Sequence, residues 1–497
     1  MSIDHFDVLI VGAGISGIGA AYHLQTQCPT KRYAILEGRE SMGGTWDLFR
    51  YPGIRSDSDM FTLGFPFHPW KEAKAIADGP AILRYLRETA QTYGIDRHIR
   101  YQHKVVRADW SSTDAQWTVT VERGPATTPA TLTCNFFYLC SGYYRYDQGY
   151  MPGFPGQDAF KGTLIHPQKW PETLDYTGKR VVIIGSGATA VTLVPAMADT
   201  AAHVTMLQRS PSYVLSLPAV DPIANGLRKL LPEKTAHSVS RWKNVMLSIL
   251  VYQLSMRRPA LMKKLLRKGV AAQLPRDFDV DTHFNPRYNP WQQRLCLVPN
   301  NDLFKSIRKG RASVVTDTIE TFEADGIRLK SGRKLEADIV VSATGLELLA
   351  MGGIQIGVDG RAIEPAECFS YRGMMLSGVP NAAACIGYTN ASWTLRADLV
   401  SRWVCRLINH MDRRGAAIVT PRVRDASMGE LPLLDLTSGY VQRAAGKFPK
   451  QGAVAPWNLR QNYVLERLTL GRGSLDDGAL EYSSPAAGTA RPLDKAA

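Results

Sequence analysis

The chain has 497 residues, 45% hydrophobic content and a formal net charge of +14. Such a length is too great for one ordinary core and predicts two or three domains, while the apolar content excludes a disordered protein. The seven cysteines include no C-x-x-C pair, which argues for a reducing compartment and against a disulfide framework or a dithiol oxidoreductase.

A glycine-rich turn follows the first apolar run, Phe6 to Val11, and opens a segment with helical spacing. The members of this turn that matter here are Gly12, Gly14, Ser16 and Gly17. A strand, a tight turn and a helix in this order let a pyrophosphate lie on the helix N-terminus. The next apolar run ends in Glu37, a carboxylate placed to accept both hydroxyls of an unphosphorylated ribose. These residues predict a site for FAD or NAD.

Because the first strand begins so early, we also expect no signal peptide and a cytoplasmic location.

The loop from Gly43 to Asp57 contains three glycines, a proline and large aromatic residues. Such a composition predicts a rigid, irregular path over a flat ligand.

A second glycine-rich turn follows the strand-like run Val181 to Ile184. It contains Gly185, Gly187, Ala188 and Thr189. The apolar run after it ends in Gln208, Arg209 and Ser210, so a cation and a hydroxyl replace the acid of the first unit. This ending favours a 2′-phosphate and therefore NADPH.

A basic segment lies between Ile223 and Pro275, where eleven basic residues accompany one acid, Glu233, and contribute +10 to the net charge. Its apolar stretch, Val245 to Leu254, is about half as long as a bilayer span, which predicts amphipathic helices. Two interpretations stay open: a basic face that is solvated or lies near an anionic cofactor, and peripheral attachment through 223–275 to an anionic membrane. Nucleic acid is not an expected partner, because no nucleic-acid-binding motif accompanies the basic charge.

Two longer motifs carry a resemblance to a known family. The loop ending at Asp57 matches G-G-x-W-x(4)-Y-P-G-x(3)-D, and the segment 160–171 matches F-x-G-x(3)-H-x(3)-W-P. The second motif is carried by Phe160, Gly162, His166 and Trp170. With the paired nucleotide turns, nearly the whole chain resembles the flavin-dependent Baeyer-Villiger monooxygenases, which are class B flavoprotein monooxygenases. The segments 47–61, 284–304 and 387–399 look closest to the ethionamide-activating branch of that family.

This resemblance implies FAD and NADPH as cofactors, and dioxygen with a small ketone or thioether as reactants. Hydride from NADPH reduces the flavin, and dioxygen then adds to give a C4a-peroxyflavin. The family's active-site arginine corresponds to Arg294 and its partner carboxylate to Asp57. Because a guanidinium is no acid at ordinary pH, Arg294 would stabilise the peroxide and the oxyanion of the adduct electrostatically, while Asp57 orients it.

The resemblance assigns further roles. Contacts with FAD are expected from Gly44, Thr45, Trp46, Asp57, Val105, Asn390 and Leu395. Many relatives carry a lysine before the active-site arginine, but Gln293 stands here, which leaves Arg209 as the main ligand of the 2′-phosphate. His166 is expected to form a hydrogen bond between the domains and Trp170 to anchor packing. A helix starting near Thr394, capped by Asn390 or Ser392, could offset charge on reduced flavin or be merely structural.

The predicted fold class is α/β, with two Rossmann-like dinucleotide-binding domains and a helical insertion. Strands ending near Leu139 and Ser342 run into turns with glycine, and we interpret them as the points where the chain passes between domains. The predicted ranges are 1–147 and 338–497 for the FAD domain, 148–215 and 281–337 for the NADP domain, and 216–280 for the insertion. A loose tail is expected from Ser483 onward.

The predicted function is insertion of one oxygen atom beside a ketone carbonyl, giving an ester or lactone, with sulfoxidation as a side activity. One alternative is a monooxygenase acting on sulfur or nitrogen. A second is a membrane-peripheral flavin reductase that consumes no oxygen, and a third is a catalytically silent nucleotide-binding protein. We assign no metal site.

Overall fold

The structure is a computed structural model that describes residues 3–425 and 427–485. Of the predicted tail, Ser483 ends the last strand, Leu480–Ser483, and residues 486–497 lie outside the described part of the chain.

The first domain is built on a nine-stranded mixed sheet. Along the sheet the strands are Arg361–Ile363, Gln355–Val358, His103–Ser111, Gln116–Arg123, Thr128–Leu139, Asp4–Val11, Tyr33–Leu36 and Ile99–Arg100. The long strand Thr128–Leu139 pairs antiparallel with Gln116–Arg123 along its first half and parallel with Ala382–Ala384 at its end. Five parallel strands therefore end at one edge, where the first glycine-rich turn lies.

Two long helices, Ile15–Gln27 and Trp393–Arg414, pack together in the core of this domain. The first follows the glycine-rich turn, and the second comes from the far end of the chain. They are joined by a buried contact between His23 Nε2 and Asp398 Oδ1 at 2.8 Å. The first domain is therefore completed by residues distant in sequence.

The second domain has a five-stranded parallel sheet. Its strand order is Ala312–Thr316, His203–Gln208, Arg180–Ile184, Ile339–Ser342 and Thr163–Ile165. An antiparallel meander of Ile319–Glu323, Gly326–Leu329 and Lys334–Glu336 packs beside it. The strand Ile339–Ser342 is central to this sheet, so the predicted boundary at 338 is wrong: the chain leaves the second domain only after Ser342. The α/β fold class with two Rossmann-like domains is confirmed.

The insertion consists of three consecutive helices, Pro222–Leu230, Glu233–Arg257 and Pro259–Ala271. Although the segment interrupts the second domain in sequence, it also docks on the first. The buried Arg241 donates to the carbonyl oxygens of Phe61 at 2.8 Å and Gly64 at 2.9 Å. Within the described residues, none of the helices combines the length and the apolar character needed to cross a bilayer.

The remaining elements complete the fold. The other α-helices are Thr45–Leu48, Met60–Leu63, Gly79–Thr92, Ala188–Met197, Val280–Phe284, Asp302–Arg308, Gly439–Gln442 and Tyr463–Arg472. The 3-10 turns are Asp96–His98, Gln157–Ala159, Pro167–Lys169, Ala350–Gly353, Pro365–Glu367 and Ala445–Lys447. Two-stranded pairs join Val214–Leu217 to Cys296–Pro299, Ser370–Tyr371 to Met375–Leu376, Ile418–Pro421 to Leu480–Ser483, and Glu430–Pro432 to Lys450–Gly452. All seven cysteines are buried and unbridged, as expected of small core residues.

The first glycine-rich turn yields a stability prediction. A Cβ on Gly17 would overlap the carbonyl oxygen of Gly12, whereas a Cβ on Gly187 in the second turn meets no atom within 4 Å. We expect Gly17→Ala to push the helix off its strand and destabilise the protein by about 1–3 kcal/mol. Gly187→Ala should leave the free energy of unfolding nearly unchanged. Denaturant melts of the two variants test this, and equal stabilities would contradict it.

Candidate active site

A cavity of about 1150 Å³ lies between the two domains, at the carboxyl ends of both parallel sheets. Parallel α/β sheets bind ligands at this edge, because the loops that follow the strands diverge there. Both glycine-rich turns line the cavity, as do the loop ending at Asp57 and the segment containing Arg294. The two nucleotide sites predicted from sequence thus open into one space.

The first turn lies so close to its neighbours that side chains would not fit. Gly12 has φ +102°, and a Cβ there would approach the carbonyl oxygen of Cys140 to 2.8 Å. Gly17 faces the turn itself and does not line the cavity, so its role is packing of the helix against the strand. No side chain of these glycines therefore obstructs the backbone N–H groups where a pyrophosphate would approach.

Glu37 closes the far end of this turn. Its Oε2 accepts the backbone N–H of Ala13 at 2.8 Å and its Oε1 that of Arg39 at 3.0 Å. Burial raises the pKa of Glu37, and these two N–H donors oppose that rise. Each carboxylate oxygen keeps a further lone pair on the cavity side, where a ribose hydroxyl can donate.

The loop after Glu37 is held rigidly. Gly43 and Gly44 have φ +119° and +56°, and the short helix Thr45–Leu48 follows them. The buried Asp47 accepts from Ser41 Oγ at 2.6 Å and pairs with Arg39 at 2.7 Å. These contacts present Gly44, Thr45 and Trp46 to the cavity.

In the second turn, Gly185 has φ +140°, and a Cβ would overlap the carbonyl oxygen of Ala343. Gln208 turns away from the cavity and donates to the carbonyl oxygen of His283 at 2.8 Å. Arg209 instead lies exposed on the cavity lining, with no acidic partner among the described residues. Gln293 lines the same cavity. Arg209 is thus a free cation where a 2′-phosphate would lie.

Arg294 joins the two domains at the centre of the cavity. Its Nη1 lies 3.4 Å from Asp57 Oδ2, and its Nε donates to the carbonyl oxygen of Thr389 at 3.3 Å. The two side chains are 35% and 38% exposed, so the guanidinium is available to a ligand. Burial opposes the charge of Arg294, but the Asp57 carboxylate and three neighbouring tyrosines, Tyr143, Tyr440 and Tyr144, together raise its pKa. Arg294 is a permanent cation.

Three tyrosines surround this guanidinium and were missed in the sequence. Tyr143 and Tyr144 follow the strand that ends at Leu139, whereas Tyr440 comes from the C-terminal part of the chain. Burial raises the pKa of Tyr144 well above its ordinary value and that of Tyr440 to about 12. The phenols of Tyr144 and Tyr440 are therefore neutral at ordinary pH. The position of Tyr143 and Tyr144 after a parallel strand was a usable signal, but nothing local marks Tyr440.

Trp393 was also missed. Its Nε1 donates to Ser16 Oγ at 2.7 Å, and its ring packs edge-on against Tyr143, with 5.2 Å between ring centroids. The helix it begins thereby reaches the first nucleotide turn.

The predicted cap of that helix is wrong. Ser392 holds the cap position, but no side chain accepts from the helix N–H groups. Ser392 Oγ contacts Thr62 Oγ1 at 2.6 Å, and Asn390 donates to the carbonyl oxygen of Gln461 at 2.8 Å. Asn390 and Leu395 line a small separate cavity, whereas Val105 lines the main one.

His166 lies at the crossing between the domains. The N–H of Gln168 donates to its Nδ1 at 3.2 Å, so its Nε2 carries the proton that is donated to the carbonyl oxygen of Gly345 at 3.0 Å. Burial lowers the pKa of His166, and the neutral tautomer persists. This is the geometry expected of a hinge contact and not of a general base in the cavity.

The other residues of the second motif support packing. Phe160 stacks edge-on against Phe322, with ring centroids 5.9 Å apart, and a Cβ on Gly162 would overlap the Phe160 ring. Trp170 packs on the core of the second domain. These three residues and His166 are absent from the lining of the main cavity.

Comparison with known proteins agrees with this architecture. The model of the flavin-binding monooxygenase-like family matches residues 61–415, and a model of NAD(P)-binding Rossmann-like domains matches residues 10–79. The chain belongs to the flavin-binding monooxygenase-like family, and the resemblance found in the sequence is confirmed.

Among its relatives is the FAD-containing monooxygenase EthA of Mycobacterium tuberculosis, 56% identical over 481 residues, covering 97% of this chain and 98% of the relative. The probable FAD-binding monooxygenase AlmA of Acinetobacter baylyi is 50% identical over 480 residues, covering 96% of each. The fold matches an NADP-bound oxidized steroid monooxygenase with TM-score 0.76 at 22% identity, covering 97% of this chain and 100% of that one. An open cyclohexanone monooxygenase matches with TM-score 0.73 at 20% identity and the same coverage. The chain is thus a flavin-dependent monooxygenase, which counts against the non-oxygenating reductase and the silent binding protein.

The exposed cation at Arg209 yields a test of coenzyme preference. We expect Arg209→Ala to lower kcat/KM for NADPH by about 10- to 100-fold, the value of a charge-assisted hydrogen bond, with little effect on NADH. Gln293→Lys should raise the preference for NADPH by adding a second cation. Steady-state oxidation of both coenzymes measures this. Equal losses with NADPH and NADH would remove Arg209 from phosphate recognition.

Proposed function

We propose that this protein carries out Baeyer-Villiger oxidation, inserting one oxygen atom from dioxygen beside a ketone carbonyl. The observation that carries the proposal is the position of Arg294. Its guanidinium is held between Asp57 and the carbonyl oxygen of Thr389, where both nucleotide sites open into one cavity. A fixed cation at that point can stabilise negative charge that develops on oxygen during transfer to a carbonyl.

FAD and NADPH are the cofactors, and the residues present fit both. The bare backbone at Gly12 and Gly14 and the carboxylate of Glu37 suit the FAD pyrophosphate and ribose. Gly185 and the unpaired Arg209 suit NADPH. When bound, the flavin accepts hydride from NADPH and activates dioxygen.

Arg294 acts through its charge. It cannot serve as an acid at neutral pH, and Asp57 holds its orientation through the 3.4 Å contact. Tyr143, Tyr144 and Tyr440 line the cavity with Arg294, and the neutral phenols of Tyr144 and Tyr440 add no charge that competes with it. His166 fixes the path of the crossing chain at Gly345.

Oxidation of sulfur or nitrogen is the second candidate. Electrophilic oxygen transfer requires that the oxygen donor be protonated, and the groups around Arg294 disfavour this. The positive charge of Arg294 lowers the proton affinity of an anionic donor, and burial raises the pKa of Tyr440 to about 12, which makes this phenol a weak acid. The environment of Arg294 therefore favours nucleophilic attack on a carbonyl.

Removal of the cation tests the proposal. We expect Arg294→Ala to lower ester formation from a simple ketone by about 100- to 1,000-fold, and to divert NADPH oxidation to hydrogen peroxide. Asp57→Asn should have a smaller effect, because the charge of Arg294 remains. Product analysis by gas chromatography and a peroxide assay measure both outcomes.

Arg443→Ala is the matched control. Arg443 is another cation of the cavity lining, but it stacks on Tyr150, with 3.5 Å from its Cζ to the ring centroid, and takes no part in the Asp57 contact. This variant should retain ester formation. The proposal is refuted if Arg294→Ala forms ester at the wild-type rate. A wild-type protein that yields sulfoxide from thioethers and no ester from ketones would favour the second candidate.

A further inference from the structure

The large apolar side chains that stay exposed in this protein are concentrated in one region. Eleven of the 17 exposed large apolar residues in the described part of the chain lie within 217–265, which is about a tenth of the sequence. A soluble surface rarely gathers apolar residues in this way unless they meet a partner. We propose that this region, here called the helical surface (residues 217–268), docks the protein on an anionic lipid bilayer.

The longest helix of the helical surface, Glu233–Arg257, shows an exposed apolar stripe. Val239, Met246 and Leu250 follow one another at helical spacing and are 44%, 53% and 64% exposed. Leu247, 55% exposed, lies beside them. The side of the helix that faces away from this stripe is buried at His237, Arg241 and Val245. The stripe therefore remains uncovered although the helix is firmly packed.

The two flanking helices repeat this arrangement. In Pro259–Ala271, Leu261 and Leu265 are 47% and 49% exposed, while Met262, Leu266 and Val270 are buried. In Pro222–Leu230, Ile223 and Leu230 are 58% and 82% exposed at a spacing of two turns. Consecutive helices with uncovered apolar stripes form a surface suited to the interface of a bilayer.

The charges of the helical surface identify the kind of bilayer. Some of its cations are structural, because Arg228 and Arg241 donate to backbone carbonyls and Lys243 pairs with Asp221. Others form no ion pair with any described residue: Lys229, Lys234, Arg257, Arg258, Lys264 and Lys268. Lys264 and Lys268 share the exposed side of their helix with Leu261 and Leu265. Free cations interspersed with apolar side chains match anionic headgroups above acyl chains.

The same charges disfavour a second copy of the chain as the partner. A symmetric dimer through the helical surface would bring the six unpaired cations of one copy against those of the other. Between Pro222 and Ala272 the sequence offers Glu233 as its one acid, and Glu233 already contacts Lys71 at 3.7 Å. Like charges without counter-charges oppose such an interface.

The helical surface also lies near the catalytic segment. On the inner side of its helices, the Tyr252 ring packs edge-on against Trp291, with 5.5 Å between centroids. Met262 and Leu266 pack with Tyr213, and Leu295, the neighbour of Arg294, joins that cluster. After docking, a single layer of helices would separate the bilayer from Arg294.

Vesicle binding tests the inference with the full-length, flavin-loaded protein. We expect it to co-sediment with vesicles of phosphatidylcholine and phosphatidylglycerol, and far less with phosphatidylcholine alone. Two double variants, Lys264→Glu with Lys268→Glu and Leu247→Ser with Leu250→Ser, should each weaken this binding by about tenfold or more. NADPH oxidation in the absence of vesicles should stay at the wild-type level, which shows that the variants are folded.

Matched controls separate the helical surface from general effects of charge and apolarity. Lys309→Glu with Lys330→Glu makes the same charge change in the second domain, and Leu465→Ser with Leu468→Ser alters a helix whose two leucines are 44% and 53% exposed. Both control proteins should bind vesicles as the wild type does. The inference fails if the wild type does not bind anionic vesicles, if controls and test variants lose binding equally, or if sedimentation shows a dimer broken by Leu247→Ser with Leu250→Ser.

Discussion

The contact between Arg294 and Asp57 is the interaction on which the proposed chemistry depends. It links residues of different domains, since Arg294 belongs to the second nucleotide unit, whereas Asp57 and Thr389 come from two separate parts of the first. A guanidinium holds its charge at any physiological pH, so the protein needs only to orient it and to limit access of water. Asp57 provides the orientation, and Tyr143, Tyr144 and Tyr440 line the cavity beside the cation.

The architecture that makes this contact follows from two parallel sheets whose carboxyl ends face one cavity. Each sheet ends in a turn where glycine is required sterically: Gly17 against Gly12 in one domain, and Gly185 against Ala343 in the other. At the crossing between the domains, the neutral ring of His166 donates a hydrogen bond to the carbonyl oxygen of Gly345. The nucleotide sites are therefore rigid individually, while the crossing segments determine how they meet.

The helical insertion has a different physical character. The buried Arg241 and the partly exposed Arg228 hold it on the first domain. Its outer side leaves apolar side chains and unpaired cations exposed together. Exposure of such a surface to water is unfavourable in free energy, and contact with an anionic bilayer would remove this penalty. The chemistry of Arg294 does not depend on that contact, so the docking surface and the oxygenating site are separable properties of one chain.

The sequence by itself determined the fold class and the positions of both nucleotide turns, of Glu37 and of Arg209, because the signals for a strand, a turn and a helix are local. It also determined the pairing of Arg294 with Asp57, because the family motifs identify single positions. Only the tertiary structure showed that Ile339–Ser342 belongs to the second sheet, and that Tyr440 and Trp393 reach the cavity. It also showed that the Ser392 hydroxyl contacts Thr62 and forms no capping hydrogen bond. It also distinguished structural from unpaired cations in the insertion. These features rest on contacts between segments hundreds of residues apart, and no local periodicity encodes which distant side chains will share a pocket.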